Sequence, residues 1–228
     1  IITCMNGIPH WYFHKLDNKF ANYKIKCLDP NLLIDTILPP DSIVGSVVYP
    51  ACEIVKPGTI KHIAGNRFSL GEPEGSESDR LKFISDILKR AGFRAPIQKN
   101  IRDELWLKLI GNLSFNPISA LTGATLEQIC NDQGTEAIVR AMMTEAKIIA
   151  EELGAKINMS IEKRIEGARK VGAHKTSMLQ DIEAGKPIEI DSIIIAVKEL
   201  GELTCSPTPY IDTILNLTLQ KAKLIGCL

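Results

Sequence analysis

The sequence has 228 residues, of which 45% are hydrophobic and 24% are charged, and its 27 basic residues balance 27 acidic ones. This length suits one large domain or two modest ones with a proper hydrophobic core. The zero net charge gives no sign of a nucleic-acid or membrane partner, and no apolar run reaches the roughly 18 residues that a membrane span needs.

The six cysteines are scattered along the chain and form no C-x-x-C pair. This spacing argues against a zinc site and against a small domain built on disulfides. We therefore expect free thiols, a reducing cytoplasmic environment and no bound metal. We also find no pattern typical of a signal peptide.

The first residues, 1–5, read as a buried strand that is already under way and that ends at the turn dipeptide Asn6-Gly7. Because no initiator methionine or polar lead-in precedes this strand, we expect the chain to be part of a longer protein. Three further strands are predicted at residues 42–49, 59–64 and 67–70. The dipeptide Gly65-Asn66 predicts that the last two form a hairpin.

Two helices are predicted in the first hundred residues, one at about 30–38 and one from a cap at Ser76 to about residue 91, followed by a short strand at 95–98. After about residue 100 the strand signals vanish. Helical segments are predicted near 102–116, 124–131, 135–153, 160–184, 190–201 and 207–225. Thr135 is predicted to cap a helix, and Gly154 and Gly201 are predicted to end helices.

These patterns divide the chain into two parts. Residues 1–99 are rich in strands and fit the second half of a doubly wound, Rossmann-like cofactor-binding domain. Residues 100–228 are predicted to be wholly helical. The expected fold class is therefore α/β plus all-α.

The most informative segment, residues 104–117, reads as a helix with apolar side chains on nearly every side. Lys108, Asn112 and Asn116 recur in it at intervals of four, so they line one stripe. A lysine between carboxamides on a buried helix is costly unless it faces a wet cleft or a polar ligand. The alternative is a partly solvated face without a function. Gly111, in the same helix, is expected to let another backbone come close.

A second polar segment, residues 174–191, contains Ser177 and a Gly-Lys-Pro turn that Glu189 and Asp191 follow. An acidic residue is favourable at a helix N-terminus, so either acid is suited to cap the next helix. We assign the cap to Asp191, which leaves Glu189 for a cleft.

The pattern Lys108-x3-Asn112-x3-Asn116-Pro, with Ser177-Met-Leu-Gln-Asp and Glu189-Ile-Asp after it, resembles the helical domain of the ketopantoate reductase family. The Met-Asn-Gly turn at residues 5–7 resembles the strand end beside the nicotinamide in that family. The match runs in order through essentially all 228 residues. It implies the C-terminal half of a Rossmann-like domain followed by an all-helical domain like that of 6-phosphogluconate dehydrogenase.

The resemblance also implies roles for the matched residues. These are the proton donor Lys108, the substrate-binding residues Asn112, Asn116 and Ser177, and the cofactor-binding residues Asn6, Ala51 and Glu189. The implied reaction is the reduction of 2-dehydropantoate, a small 2-oxo acid, to D-pantoate by NADPH in coenzyme A biosynthesis. A homodimer is a further expectation. Burial is expected to lower the pKa of Lys108 and a nearby Glu189 to raise it, and the sequence does not decide which prevails.

Two positions depart from the family pattern. His174 stands three residues before the matched serine, and Leu126 ten residues after the second helix asparagine, where other members carry asparagine. The family's G-x-G-x-x-G turn is expected before Ile1. Two alternatives therefore stay open: a reductase of another 2-oxo acid, and a truncated chain that keeps only the substrate and oligomerisation domain and does not catalyse.

Two weaker patterns lie near the start of the chain. His10 and His14 are four residues apart, a spacing that suits two metal ligands, but no third ligand is apparent and surface histidines are the preferred interpretation. The aromatic run Trp11-Tyr12-Phe13 either covers the cofactor cleft or forms local core.

Overall fold

The structure is a computed structural model that describes residues 1–228. The chain forms two compact units. The first comprises Ile1–Lys24 and Asn31–Leu105, and the second comprises Ile25–Pro30 and Trp106–Leu228. The predicted domain limits, 1–99 and 100–228, stay a prediction.

The first unit combines short strands with two helices. The strands are β1 (Ile2–Cys4), β2 (Val44–Val48), β3 (Ala51–Lys56), β4 (Thr59–Ala64) and β5 (Phe68–Gly71), the helices are α1 (Leu33–Ile37) and α2 (Asp79–Arg90), and single 3-10 turns lie at His10–Phe13 and Pro40–Ser42. The four strands predicted up to residue 70 and both predicted helices are therefore present, and β3 is a strand that was not predicted.

The β2 strand forms the middle of a three-stranded sheet. It pairs in parallel with β1, with Ile2 opposite Val44, and antiparallel with β5, with Leu70 opposite Ser46. The valine-rich sequence of β2 suits a pleated, buried surface. Val44 and Leu70 pack against Leu81 of α2 and exclude water from this face of the sheet.

The hairpin predicted between residues 59–64 and 67–70 is wrong. β4 pairs with β3 instead, and β5 joins the other sheet beside β2. The turn between β3 and β4 contains Gly58 with φ of 75°, a conformation that glycine adopts without strain. Gly65, which suggested the hairpin, serves a close approach, because a Cβ on it would lie 2.7 Å from the Tyr49 carbonyl oxygen.

The segment 95–98, predicted as a strand, forms only isolated β-bridges with its neighbours in the first unit. Arg94 lies opposite Arg67, and Ile97 lies opposite Leu70, both in parallel. The segment therefore flanks β5 and adds no full strand to the sheet.

The rest of the chain is helical, as predicted. Its elements are α3 (Ile101–Thr122), α4 (Leu126–Asn131), α5 (Gln133–Glu152), α6 (Ile161–Val171), α7 (Ser177–Glu183), a π-helical turn (Asp191–Ile195), α8 (Ala196–Thr204) and α9 (Pro209–Ile225). α5 packs against α8 and α9, and its side chains Met142, Ala146 and Ile149 are fully buried. Measured against the length and hydropathy of a bilayer-spanning segment, every helix of the structure falls short.

Two helix starts differ from the prediction because another side chain accepts the free amides. α2 begins after Ser78 and not after Ser76, since the Ser78 Oγ accepts the N–H of Leu81 at 3.1 Å. α5 begins after Asp132, whose carboxylate accepts the N–H of Thr135 at 2.8 Å. Thr135 was predicted as the cap and is the residue that is capped.

Two predicted helix limits are also wrong. The segment 160–184 forms two helices, because Gly172 has φ of 80° and ends α6. Gly201 lies inside α8, where a Cβ would lie 2.8 Å from the Cγ2 of Thr208, so its bare backbone serves packing. α8 ends at Cys205, which takes the left-handed conformation with φ of 57°. The stop predicted at Gly154, just past α5, is confirmed.

Candidate active site

The helix α3 is buried on most sides, as its composition predicts. Trp106, Leu109 and Leu113 are at most 1% exposed. The helix runs past the predicted end at residue 116 and continues through Pro117. Because it stays helical throughout, Lys108, Asn112 and Asn116 lie along one stripe of its surface.

The three residues of this polar stripe are largely withdrawn from solvent. Lys108 and Asn112 are half-buried, and Asn116 is only 5% exposed. A buried polar group needs a partner, whether from the protein, water or a ligand. The stripe therefore has the character expected of a lining for a polar ligand.

Three influences act on the pKa of the Lys108 ammonium group, and they do not all have the same sign. Burial lowers its pKa from the ordinary value of 10.5, Glu189 raises it by attraction, and Arg164 lowers it by repulsion. The net direction is downward, so burial prevails over the nearby acid. A lysine that holds its proton less tightly is better suited to give it away near neutral pH.

Glu189 lies on the segment between α7 and the π-helical turn. Its neighbours are fixed by main-chain bonds: the N–H of Ile188 donates to the Cys227 carbonyl at 3.0 Å, and the N–H of Ile190 donates to the Ile188 carbonyl at 2.9 Å. The Glu189 side chain is exposed and acts electrostatically on Lys108. The structure therefore brings together the lysine and the acid that the sequence singled out.

The predicted cap at Asp191 is wrong. Ile190 occupies the N-cap position of the π-helical turn without a side-chain hydrogen bond, and Asp191 is the first residue inside the turn. A second acid does lie close to Glu189, since burial and then repulsion from Glu189 raise the pKa of Asp181 in α7.

Ser177 is the first residue of α7 and is exposed. The preceding Thr176 is the cap of this helix, with its Oγ1 accepting the N–H of Leu179 at 3.4 Å. No hydrogen bond of the structure joins Ser177 to the polar stripe. The assignment of Ser177 to the substrate therefore stays a prediction.

The other predicted cofactor residues belong to the first unit. Asn6 follows β1 in a turn in which Gly7 has φ of 80°, and Ala51 opens β3 just after β2. Both side chains are half-buried. Because β1 and β2 are parallel, the two residues lie beyond the carboxyl ends of neighbouring strands, which is where ligands bind in open α/β sheets.

The aromatic run after β1 forms local core. Trp11, Tyr12 and Phe13 are at most 2% exposed, and the Trp11 Nε1 donates to the Thr3 Oγ1 at 3.1 Å. The Arg102 guanidinium stabilises this turn by donating a hydrogen bond to the Tyr12 carbonyl oxygen at 2.7 Å. The nearby histidines have separate partners: His10 bonds to the Leu38 carbonyl and His14 to Asp41.

A polar cluster that the sequence analysis did not predict lies just after β2. The Glu104 carboxylate, 9% exposed, accepts bonds from the Tyr49 hydroxyl and the Arg67 guanidinium at 2.5 Å each. The Arg67 guanidinium also lies 4.0 Å from the Tyr49 ring centre. Burial, together with this carboxylate, raises the pKa of Tyr49, so the phenol stays neutral.

This chain is similar to proteins of known family in both its sequence and its fold. The family model described as "Ketopantoate reductase PanE/ApbA C terminal" matches residues 100–222. A 2-dehydropantoate 2-reductase of Mesorhizobium japonicum is 48% identical over 227 residues, which cover 100% of this chain and 70% of the relative. The chain belongs to the ketopantoate reductase family.

Solved structures of ketopantoate reductases share this fold. A putative ketopantoate reductase from Ralstonia solanacearum superposes with a TM-score of 0.95 at 39% identity, over 100% of this chain and 69% of that chain. A D-mandelate dehydrogenase solved with NADH and anilino(oxo)acetate has a TM-score of 0.80 at 19% identity, over 99% of this chain and 68% of that one, and this likeness shows the fold alone.

The two positions that the sequence analysis expected to depart from the family pattern both lie close to the starts of helices. Leu126 is the first residue of α4 and is half-buried, and His174 is an exposed residue just before α7. Both belong to the second unit. The departures thus lie on the unit that carries the polar stripe.

Proposed function

We propose that this chain carries the catalytic lysine of a reductase that converts 2-dehydropantoate to D-pantoate. A reduced nicotinamide cofactor supplies the hydride that adds to the C2 carbonyl carbon. The observation that carries the proposal is Lys108: a half-buried ammonium with a lowered pKa, on a stripe of carboxamides along an otherwise apolar helix. Membership of the ketopantoate reductase family supports the same conclusion.

The residues of this chain fit a nicotinamide cofactor at the sheet edge. Asn6 and Ala51 follow the parallel strands β1 and β2, and half-buried side chains at this edge suit a flat, partly polar ring. In the proposal these two residues flank the cofactor, and Glu189 contacts its ribose side. NADP(H) is preferred over NAD(H) on the strength of the family resemblance alone.

Lys108 acts on the oxygen of the reacting carbonyl. Negative charge develops there as hydride arrives at carbon, and an adjacent ammonium group stabilises that charge and delivers the proton. Asn112 and Asn116 bind the oxo acid through neutral hydrogen bonds, and Ser177 binds its carboxylate. Glu189 keeps the lysine protonated by attraction, against the burial that lowers its pKa.

A pocket built to pair with a hydroxyl group rejects analogues that lack it, because its polar groups are then buried without partners. We therefore expect faster reduction of ketopantoate than of the 2-oxo acid without the hydroxyl. The departures at Leu126 and His174 favour one alternative, a reductase of another 2-oxo acid, and a panel of 2-oxo acids separates the two. Equal rates of reduction of ketopantoate and of the 2-oxo acid without the hydroxyl group would contradict this pocket.

The first experiment titrates NADPH and, separately, NADH against the protein and follows fluorescence of the buried Trp11 and Trp106. Ketopantoate is then added and the absorbance of the reduced cofactor is followed. Saturable binding with turnover supports the proposal. A protein that binds neither cofactor is the non-catalytic alternative, which keeps substrate and oligomerisation functions only.

A homodimer belongs to the same proposal. α9 exposes several apolar side chains, with Leu217 at 48%, Leu224 at 79% and Ile225 at 44%. They border an apolar groove that Leu121 and Ile138 also line. Exposed apolar surface of this kind is typical of association sites. Light scattering of the wild type and of Leu224→Lys tests this, with a monomer expected for the variant.

A further inference from the structure

The backbone of Gly111 in α3 is covered by the side chain of Arg164 from α6. A Cβ built on Gly111 would lie 2.1 Å from the Nη2 atom of Arg164 and 2.7 Å from both its Cζ and Nε atoms. Any side chain on residue 111 would therefore displace the guanidinium. The sequence predicted the approach of another backbone at Gly111, and the structure places a charged side chain there instead.

This contact lies at the edge of the polar stripe. Gly111 is three residues after Lys108 and one before Asn112, and positions three apart on a helix are neighbours with Cβ atoms about 5–6 Å apart. A guanidinium that rests on Gly111 is therefore a close neighbour of the Lys108 side chain. The two groups repel each other, as the influence of Arg164 on Lys108 reflects.

We propose that Arg164 is a positioning residue of the reductase site: its guanidinium, seated on the bare backbone of Gly111, holds a fixed positive charge that directs the Lys108 ammonium group toward Glu189. Arginine is suited to this role because it keeps its charge at every pH at which the protein is folded. The inference rests on the proposed function in one respect, the assignment of Lys108 as the acid.

The charged groups that act on Lys108 are few. Glu189 attracts it from the segment before the π-helical turn, and Arg164 repels it from α6. Asp181 of α7 acts on Glu189. Repulsion from Arg164 favours the neutral amine, and it adds to burial in lowering the lysine's pKa. An ammonium group with a lowered pKa, once positioned toward the acid, gives up its proton more readily to an oxygen that gains negative charge.

A purely structural role is the competing explanation. Arg164 lines a small cavity together with Leu107, Ile110, Met159 and Ile161, so its stem contributes to packing. Loss of packing lowers stability and activity as a whole. It does not change the pH at which Lys108 titrates, and that difference separates the two explanations.

The test compares Arg164→Gln, which removes the charge, with Arg164→Lys, which keeps it. Arg169→Gln is the matched control, because Arg169 lies on the same helix and pairs with Glu136 and Glu166. Gly111→Ala is a fourth variant, which displaces the guanidinium without removing it. The Lys108 side-chain signal is titrated by NMR in each folded variant, and the pH profile of kcat/KM for ketopantoate is recorded beside it.

Loss of the like charge is expected to move the Lys108 titration and the basic limb of the profile upward by roughly half a pH unit in Arg164→Gln, the size expected of one Coulomb interaction in a partly solvated site. Gly111→Ala is expected to shift in the same direction by less. Arg164→Lys and Arg169→Gln are expected to leave both unchanged.

An unchanged Lys108 titration in folded Arg164→Gln overturns the inference, and so does an equal shift in Arg169→Gln. If Gln at position 164 prevents folding, Gly111→Ala decides by the same criterion. The NMR titration needs no turnover, so a wild-type protein that fails to reduce ketopantoate contradicts the proposed function and leaves the effect of Arg164 on Lys108 measurable.

Discussion

The backbone N–H of Leu126 donates a hydrogen bond to the carbonyl oxygen of His174, with 3.0 Å between the two atoms. A second bond, from the Glu127 N–H to the Gly172 carbonyl at 3.2 Å, reinforces the contact. The start of α4 is thus tied to the segment before α7. Leu126 and His174, the two positions that the sequence analysis expected to depart from the family pattern, are therefore neighbours in space.

Restoring the family's asparagine at both positions tests whether the departures act together. We expect Leu126→Asn and His174→Asn to change kcat/KM for ketopantoate, and the double variant to differ from the product of the single effects by a factor of roughly 2–5, because adjacent residues couple. Steady-state kinetics of the four proteins measure this. Independent effects would show that the two side chains face different surroundings.

Lys108→Ala is expected to lower kcat at least about 100-fold while KM for ketopantoate changes far less, because the proton donor acts chiefly in the transition state. In the wild type, the acid form is required, so kcat/KM falls as pH rises through the lysine's pKa. Burial keeps that pKa below 10.5, and the basic limb is therefore expected below pH 10.5. Lys223→Ala, on the exposed face of α9, is the control. Near-normal turnover in Lys108→Ala would remove the lysine from the mechanism.

Glu145 caps α9 from the buried face of α5. Its carboxylate accepts the N–H groups of Tyr210 and Ile211 at 2.9 Å each. Glu145→Ala removes the acceptor of one buried and one part-buried amide and is expected to lower the free energy of unfolding by about 1–3 kcal/mol in urea denaturation. Glu152→Ala, exposed on the same helix, is expected to cost less than about 0.5 kcal/mol. Equal losses in the two variants would mean that the cap contributes nothing.

The fully buried Glu72 makes the first unit sensitive to acid. Burial raises its pKa, but hydrogen bonds from Arg80 and Ser78 outweigh burial, and the net pKa lies below the ordinary 4.5. A carboxyl whose folded pKa is lowered contributes stability that is present above pH 4.5 and is lost as pH falls through the lowered value.

Arg80→Met removes the main partner of Glu72, which the guanidinium contacts at 2.6 and 2.8 Å. At pH 7 we expect a loss of about 2–3 kcal/mol in the free energy of unfolding, from the hydrogen bonds to a buried charge. The further loss on acidification below pH 4.5 is expected to be smaller than in the wild type. Arg90→Met on α2 is the control in the same urea series, and an identical acid profile in Arg80→Met would contradict the assignment.

The sequence predicted those features of the fold and of the candidate site that depend on the local pattern of residues. The helical half, the strand at β2 and the stripe of Lys108, Asn112 and Asn116 all follow from spacing along the chain, because helix geometry converts spacing into a face. The opposing effects on the Lys108 pKa were also named in advance. The net direction of the pKa shift was not predicted, because it depends on how much water the fold removes from the lysine side chain.

The errors come from choices between equivalent local signals. Ser76 and Ser78 are both good caps, and only the position of the chain after β5 selects the second. Gly65 and Gly58 both signal turns, and strand partners decide which closes the hairpin. The contact of Arg164 with Gly111 joins residues far apart in sequence, so no local pattern contains it.

The π-helical turn at Asp191–Ile195 sets the rotation of α8 relative to the segment before the turn, which contains Glu189. A π turn holds one residue more than an α turn, and each residue of a helix rotates the chain by about 100°. Deleting one residue from this turn would restore a regular helix and swing Glu189 about 100° around the axis. The position from which the acid acts on Lys108 therefore depends on the number of residues in the turn as much as on their identity.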